Sequence, residues 1–290
     1  MLNVLDKGFV ELLDTFGDDL TVVNAARVSY NKATDEMTFK DEKLIKYLAE
    51  HNHITPFFHP QLRFRLKMPI FVAREWYRHQ IGFARNEVSR RYVDFKPEMY
   101  VPEFVRERDP NSKQGSKPTS IDNNSMATAL IQDINDRAEE TYEQLLQMKV
   151  APEVARTVLP QGMYTEFIET GSLAAYARLC KLRLDPSAQW EIRQYAAAVS
   201  EMIDEKFPVS WRYLTPESEE TFLADTPVSS PSQLVSSPSQ LVFSPPGSLL
   251  SGSLVAGSLL SGSLLVSGSL LSGSLVSGSL VSGSLPMNGC

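Results

Sequence analysis

The sequence predicts an α+β domain that gives way to a repetitive tail. Three observations carry that reading: several segments with helical periodicity, one short run of strict apolar and charged alternation, and the loss of every Lys, Arg, Asp and Glu after Asp225. Strand-like segments are too few for a doubly wound parallel sheet. The chain has 290 residues, 42% of them hydrophobic, which is enough to bury a sizeable core.

In chain order, residues 9–13 read as a strand. Residues 18–30 read as a helix, with Asp18 or Asp19 placed to cap it. A second helix covers 39–51. Leu62, Phe64 and Leu66 then alternate with Arg63, Arg65 and Lys67, the pattern of a strand with one buried face. Pro69 suits the first turn of a helix running to about residue 79. Residues 103–118 are polar and contain Gly and Pro, which predicts a loop. A long helix is predicted over 125–148, a strand over 163–168, and two helices over 171–184 and 187–207. Trp76, Tyr77, Phe83 and Tyr92 are expected to pack in the core.

The globular domain is placed at 1–215 and the tail at 216–290. VSSPSQL occurs in tandem at 228–234 and 235–241, and GSL then occurs eight times, five residues apart with one step of six. A period of five matches neither a helix face nor a strand face. Gly in every repeat weakens both structures, so the tail is expected to be disordered and low in complexity.

The net charge of −7 falls entirely on residues 1–225, which argues against general affinity for nucleic acid. A local basic pocket remains compatible with it. Two cysteines, Cys180 and Cys290, exclude a disulfide framework and a multi-cysteine zinc site. Cys180 lies in an apolar, helix-like run and reads as a buried, inert thiol. The first residues lack a basic stretch followed by an apolar one, and no run of about 18 apolar residues occurs. No signal peptide or membrane span is therefore read, and a cytoplasmic location fits.

Chemistry concentrates in RHQIGFARNEVSRRY, residues 78–92. Residues 74–91 hold Arg74, Arg78, Arg85, Arg90 and Arg91 against Glu75 and Glu87. Arg74 and Arg78 are expected to share one helix face. A guanidinium donates two parallel hydrogen bonds, which suits phosphate. Ser89 adds a hydroxyl, Asn86 an amide, and Glu87 an acceptor for a ribose hydroxyl or a base N–H. Together they form an anion site with polar groups for a base and a sugar. Two other classes compete. His51, His53 and His59 have spacings that a zinc or iron site could use, but no carboxylate cluster joins them, so no metal is expected. The arginines interleaved with aromatics could stack single-stranded bases, but the acidic remainder opposes that.

The order of these residues resembles the signature of flavin-dependent thymidylate synthases: Arg-His-Arg, seven residues, then Ser, with Asn-Glu before that Ser and Arg-Tyr after it. Further blocks resemble the family in the same order: NAARVSY, HITPFFH, PIFVAREWYRH, ARTVLPQGMYTEF and LRLDPSAQWEIRQYA. The similarity covers about residues 1–215. Two departures fall inside the signature. Gln80 replaces the second Arg, and eight residues separate Gln80 from Ser89. A loop at 82–85 is expected to absorb the extra residue, and Arg85 to restore the charge that Gln80 lacks. Glu75 stands where the family usually has Gln. Ser172, Ala174, Arg178 and Ser187 stand where it often has Asn, Arg and His.

The resemblance implies a central antiparallel-type sheet with long helices, and a homotetramer with sites built between subunits. It implies that dUMP is methylated to dTMP, with methylenetetrahydrofolate as carbon donor, NADPH as reductant and FAD as hydride carrier. Carried over by position, Glu75, Arg78, Glu87, Val88, Ser89, Arg90, Arg91, Arg156 and Arg183 would bind dUMP. Ser29, His53, Thr55, Arg78, His79, Gln80, Ile81, Asn86, Glu87, Ser172 and Arg178 would bind FAD. Arg183, His53 and Ser89 are the catalytic candidates. Arg183 would polarise a uracil carbonyl, His53 would sit close to the flavin ring, and Ser89 would hold the nucleotide and not attack it. A serine nucleophile needs an oriented base beside it, and no His is near Ser89 in sequence. No nucleic-acid or membrane partner is implied.

Overall fold

The computed structural model describes residues 1–110 and 115–215. The tail predicted at 216–290 lies outside the described residues. Five strands form one antiparallel sheet: β1 (Leu2–Val4), β2 (Gly8–Phe16), β3 (Gln61–Pro69), β4 (Phe83–Glu87) and a strand at Tyr164–Ser172. A separate hairpin pairs β5 (Arg106–Arg108) with β6 (Ser116–Ser120), so the strand at Tyr164–Ser172 is β7. The sheet order is β1-β2-β3-β7-β4. The α+β reading and the antiparallel sheet both hold.

Alternation explains the central strand. Leu62, Phe64, Leu66 and Met68 of β3 are fully buried, because side chains two apart share a face. The opposite face carries charge. Arg63 pairs with Asp14 of β2 at 3.1 Å, and Arg65 reaches Glu166 of β7 at 2.6 Å. Opposite charges on neighbouring strands add modestly to sheet stability. They also mark this face as the one the helices leave uncovered.

The helices are α1 (Asp19–Arg27), α2 (Phe39–Glu50), α3 (Ile70–Trp76), α4 (Asn124–Gln147), α5 (Pro152–Ala155), α6 (Leu173–Arg183), α7 (Trp190–Asp204) and α8 (Pro208–Leu214). Asp18 caps α1 by accepting from the Thr21 N–H at 2.9 Å, while its own N–H donates to the Thr21 hydroxyl. This reciprocal pair satisfies two otherwise unpaired donors. Buried Asp19 accepts from the Val209 and Ser210 N–H groups at 2.9 and 2.8 Å, so a carboxylate sits at the start of α8 and ties α8 to α1. Thr38 and Asp41 box the start of α2. The core runs between the sheet's apolar face and α3, α6, α7 and α8. Cys180 is buried there, as expected.

Four elements differ from expectation. The polar stretch at 103–118 contains the β5 strand and the start of β6, because its alternating charges pair across a hairpin: Lys117 bonds Glu107 at 2.8 Å. The helix begun at Pro69 ends at Trp76, short of residue 79, and Pro69 itself is both the end of β3 and the helix cap. The helix predicted from 171 starts at Leu173, because Gly171 and Ser172 still belong to β7. The loop expected at 82–85 is a strand from Phe83 onward. Its turn lies just upstream, where the Phe83 N–H meets the Gln80 carbonyl at 3.1 Å. Gly82 closes that turn at φ +84°, a conformation that disfavours a side chain. Of the four aromatics expected in the core, Trp76 is fully buried, Tyr77 and Phe83 are partly buried and pack against the core, and Tyr92 is exposed.

Gly171 fixes how closely β4 approaches β7. A Cβ there would lie 2.5 Å from the Phe83 ring and 2.9 Å from Tyr176. Gly171→Ala should therefore destabilise the fold by about 1–3 kcal/mol, the range for overpacking a tight site. Thermal unfolding of the purified variant checks this, and an unchanged midpoint would contradict the packing described.

Candidate active site

The end of α3 and the end of α6 meet around one arginine. Arg183 donates from Nε to His79 Nε2 at 3.0 Å, from Nη1 to the Glu75 carboxylate at 3.3 Å, and from Nη2 to the Glu75 carbonyl at 3.4 Å. His79 is buried. Because its Nε2 accepts, its proton belongs on Nδ1 and the ring is neutral. Burial, and then the nearby charges of Arg183, Arg178 and Arg85, lower its pKa to about 4. Glu75, His79 and Arg183 thus form a fixed arginine, oriented from two sides.

α3 closes in a tight turn, with the Arg78 N–H on Glu75 O at 3.3 Å and the His79 N–H on Trp76 O at 3.1 Å. Arg78 therefore falls beyond the helix and does not share a helix face with Arg74, contrary to the expectation. Arg74 bonds Gln161 at 3.2 Å. Among the described residues, neither Arg78 nor Arg156 makes an ion pair, and both are exposed.

Strand β4 carries the next part of the signature. Phe83, Arg85 and Glu87 stand opposite Gly171, Glu169 and Phe167 of β7. The strand period puts Arg85 and Glu87 on the helix-covered face and Asn86 on the other. Arg85 is ion-paired with Glu169, which is fully buried and also accepts from the Trp76 indole N–H at 3.1 Å. The guanidinium is flanked by the rings of Phe83 and Tyr77, 4.7 and 5.5 Å from their centroids. Arg85 therefore does not supply the charge missing at Gln80. It is committed to a buried carboxylate whose pKa burial pushes up and Arg85 pulls down. Glu87 accepts from the Thr165 hydroxyl at 2.5 Å.

Beyond β4, the Val88 N–H bonds Glu166 O at 2.9 Å, and the chain turns. Ser89 Oγ accepts from the Arg91 N–H at 3.3 Å. Arg90 is buried against Phe95, donating to its carbonyl and lying 4.1 Å from its ring centroid. Arg91 is exposed and approaches Glu153 of α5 at 3.7 Å. Arg156 follows α5 directly, so the loop brings Ser89 and Arg91 toward the segment that bears it.

The remaining candidates line a second region. Ser29, His53 and Thr55 are exposed, in the turns after α1 and α2. Exposed Ile81 offers its carbonyl to Arg178 at 2.6 Å. A Cβ on Gly82 would lie 2.9 Å from Ala175, 3.2 Å from the Ser172 hydroxyl and 3.7 Å from Phe58, so the turn at 80–82 rests on α6 beside the segment at Thr55–Phe58. Ser172 is buried and caps α6 through the Ala175 N–H at 3.2 Å. Gln80 is exposed. His51 ends α2, with Nδ1 2.9 Å from the Tyr47 carbonyl and its ring stacked on Tyr47.

The family described as thymidylate synthase complementing protein matches residues 11–209. The chain belongs to this family. It is 45% identical over 208 residues to a flavin-dependent thymidylate synthase of Thermus thermophilus, covering 72% of this chain and 76% of that one. It is 44% identical over 208 residues to one of Thermosipho africanus, covering 71% and 90%. The fold is similar to a crystal structure of the UMP/dUMP methylase PolB from Streptomyces cacaoi bound with 5-Br dUMP, with a TM-score of 0.67 and 30% identity, covering 74% of this chain and 97% of that one.

Within this family frame, one side of the site was missed. Arg106 and Lys117 of the hairpin and Trp190 at the start of α7 line a cleft of about 550 Å³ together with Glu75 and Arg183. Reading 103–118 as a loop hid two of them. The alternating charges of RER and the polar SKPTS were the available signal. Among the described residues, no group of three His, Cys, Asp or Glu is placed to hold a metal.

Two outcomes test this site. Arg85→Ala leaves the buried Glu169 carboxylate uncompensated and should cost about 3–5 kcal/mol, whereas Gln80→Ala, at an exposed position, should cost under about 0.5 kcal/mol. Equal urea midpoints would contradict the assignment of Arg85. His79, with a folded pKa below its unfolded value, contributes stability present above about pH 6.5 and lost as pH falls toward 4. His79→Gln should flatten the stability profile across that window, which denaturation at a series of pH values will measure.

Proposed function

We propose that this chain makes dTMP from dUMP as an FAD-dependent thymidylate synthase, a methyltransferase using methylenetetrahydrofolate as carbon donor and NADPH as reductant. The observation that carries the reading is the family match over residues 11–209, which spans the Glu75–His79–Arg183 arrangement and the whole variant signature.

Arg183 is the group that acts on the base. Held by neutral His79 and by Glu75, it aims a permanent charge without needing to reorganise, which is the condition for stabilising charge that develops on a uracil carbonyl. Arg78, Arg91 and Arg156 bind the dUMP phosphate. Two of these are without ion pairs among the described residues, so their guanidinium groups are available for bidentate contact. Ser89, Glu87 and the Val88 backbone position the nucleotide, and Glu75 and Arg90 shape the pocket. Ser89 is a binding residue: its Oγ accepts from a backbone N–H, and no described imidazole stands as its base.

The donor set also fits FAD. Exposed Ser29, His53, Thr55 and Gln80, the apolar Ile81 and the amide of Asn86 offer the mixed polar and apolar lining that a dinucleotide needs. Arg178, buried Ser172 and His79 brace the turn at 80–82 from beneath. When bound, FAD supplies the hydride. His53 would lie beside the flavin ring, where the folate would also enter, and the chain's own residues would orient base, sugar and phosphate against it.

The active assembly is a homotetramer with sites between subunits. Helix α4 supports this. It runs for 24 residues and buries only Asn135 and Tyr142, while Met126, Leu130 and Ile134 form an exposed apolar stripe at four-residue spacing. Residues 1–215 are the catalytic domain, and 216–290 form a low-complexity tail. No described helix is long and apolar enough to cross a membrane. The cytoplasm is the proposed location, and nucleic acid is not a partner.

A yellow protein with stoichiometric flavin that rescues a thymidine-requiring cell is the expected result. Failure of rescue by a stable, flavin-loaded protein would overturn the synthase reading. Ser89→Ala should raise the KM for dUMP about tenfold or more, as for a lost charge-assisted contact, and retain measurable turnover. Abolished turnover at unchanged dUMP affinity would make Ser89 a nucleophile instead.

A further inference from the structure

The cleft beside Arg183 holds more positive charge than a dUMP base needs. It lies between the β5–β6 hairpin, the end of α6 and residues 186–193. Arg106, Lys117, Arg183 and Arg193 line it, against Glu75 as its lone lining carboxylate among the described residues. The carboxylates that steady two of these cations do not line it. Buried Glu191 holds Arg106 by two contacts at 2.7 and 2.9 Å, and Glu107 holds Lys117 at 2.8 Å. Arg106 also donates from Nε to the Ser116 hydroxyl at 2.8 Å, so the backing fixes the cationic heads in place and they present their charge to the cleft from set positions. Trp190 contributes a flat ring, and the Arg106 guanidinium sits 5.1 Å from its centroid.

A cleft of about 550 Å³ is the size of a small-molecule site. Its wall is shared with the nucleotide site through Glu75 and Arg183, so its occupant reaches the reacting centre at one end. A strongly acidic chain concentrates cations here for an anion, and the short reach excludes an extended nucleic-acid track.

We propose that this cleft binds the anionic tail of a co-substrate, a planar ring followed by two or more negative charges. Two co-substrates present that chemistry: folate through its p-aminobenzoyl-glutamate chain, and NADPH through its 2′-phosphorylated adenosine. The inference rests on the synthase reading for the identity of those molecules and on the cleft alone for the binding chemistry.

The test uses the full-length flavin-loaded protein and two fragments, p-aminobenzoyl-pentaglutamate and 2′-AMP. Binding is followed by quenching of tryptophan fluorescence, to which Trp190 is the ring on the cleft. One fragment should bind, more weakly as salt rises. Lys117→Glu should weaken it about tenfold or more, and Lys117→Gln by less, in the same direction. In turnover, the matching ratio should move: pentaglutamyl over monoglutamyl folate KM if the pentaglutamate binds, or NADPH over NADH KM if 2′-AMP binds. Because both readings are ratios, a general loss of activity cancels. Binding of neither fragment, or binding indifferent to both variants, overturns the proposal. Fragment binding without dTMP formation keeps the cleft and removes the synthase. dTMP formation with neither fragment bound does the reverse.

Discussion

The ion pair between Arg85 and Glu169 is the constraint on which the site's geometry depends. It sits on directly opposed residues of β4 and β7, with the carboxylate fully buried and braced by the Trp76 indole. A lone buried carboxylate would be costly, and its cationic partner is what makes the position tolerable. In satisfying Glu169, Arg85 pins an edge strand of five residues to the sheet. That strand bears Asn86 and Glu87 and leads straight to Ser89. Register follows from the pair: a slip of one residue would bury Asn86 and expose Arg85, breaking every contact on the covered face at once. The aromatic neighbours make the same point, since Phe83 can lie against Tyr176 only because Gly171 has no side chain.

Two kinds of arginine result. Arg85 and Arg90 are spent on the fold, one on a carboxylate and one on a carbonyl and a ring. Arg78, Arg91 and Arg156 stand at the surface, with at most one long ion pair among them. Arg183 belongs to neither kind. Its contacts with His79 and Glu75 are orienting, and at about neutral pH His79 adds a lone pair without adding a second charge. Had His79 been protonated, two cations would face each other across 3.0 Å. Burial resolves that conflict by keeping the ring neutral.

Most of the fold was legible because its signals are local. The alternation at 62–67, the Asp18 cap and the periodicity of the long helices each depend on neighbours in sequence, and each element appears within a few residues of its predicted place. What was not legible depends on partners far along the chain. β4 reads as a loop because its two charged residues belong to a strand only when Glu169 stands opposite Arg85 and the Thr165 hydroxyl donates to Glu87, from 84 and 78 residues away. The β5–β6 hairpin escaped for the same reason. For the site, the linked blocks point to the family that matches residues 11–209, and the structure brings Glu75, His79 and Arg183 together. The role expected for Arg85 failed because sequence shows a charge but not the charge that answers it.

The substitution of Gln80 gains its meaning here. A positive charge lost from the signature could be restored only by a cation that is both near and uncommitted. Arg85 is near but committed. Arg178 is the other neighbour: it reaches the Ile81 carbonyl from α6, directly beside the turn that Gln80 begins. Its guanidinium is part-exposed and bonded there to a neutral carbonyl, so its charge is not cancelled by that contact. The cation that reaches this turn thus comes from the helix beneath, 98 residues later in sequence, and not from the strand.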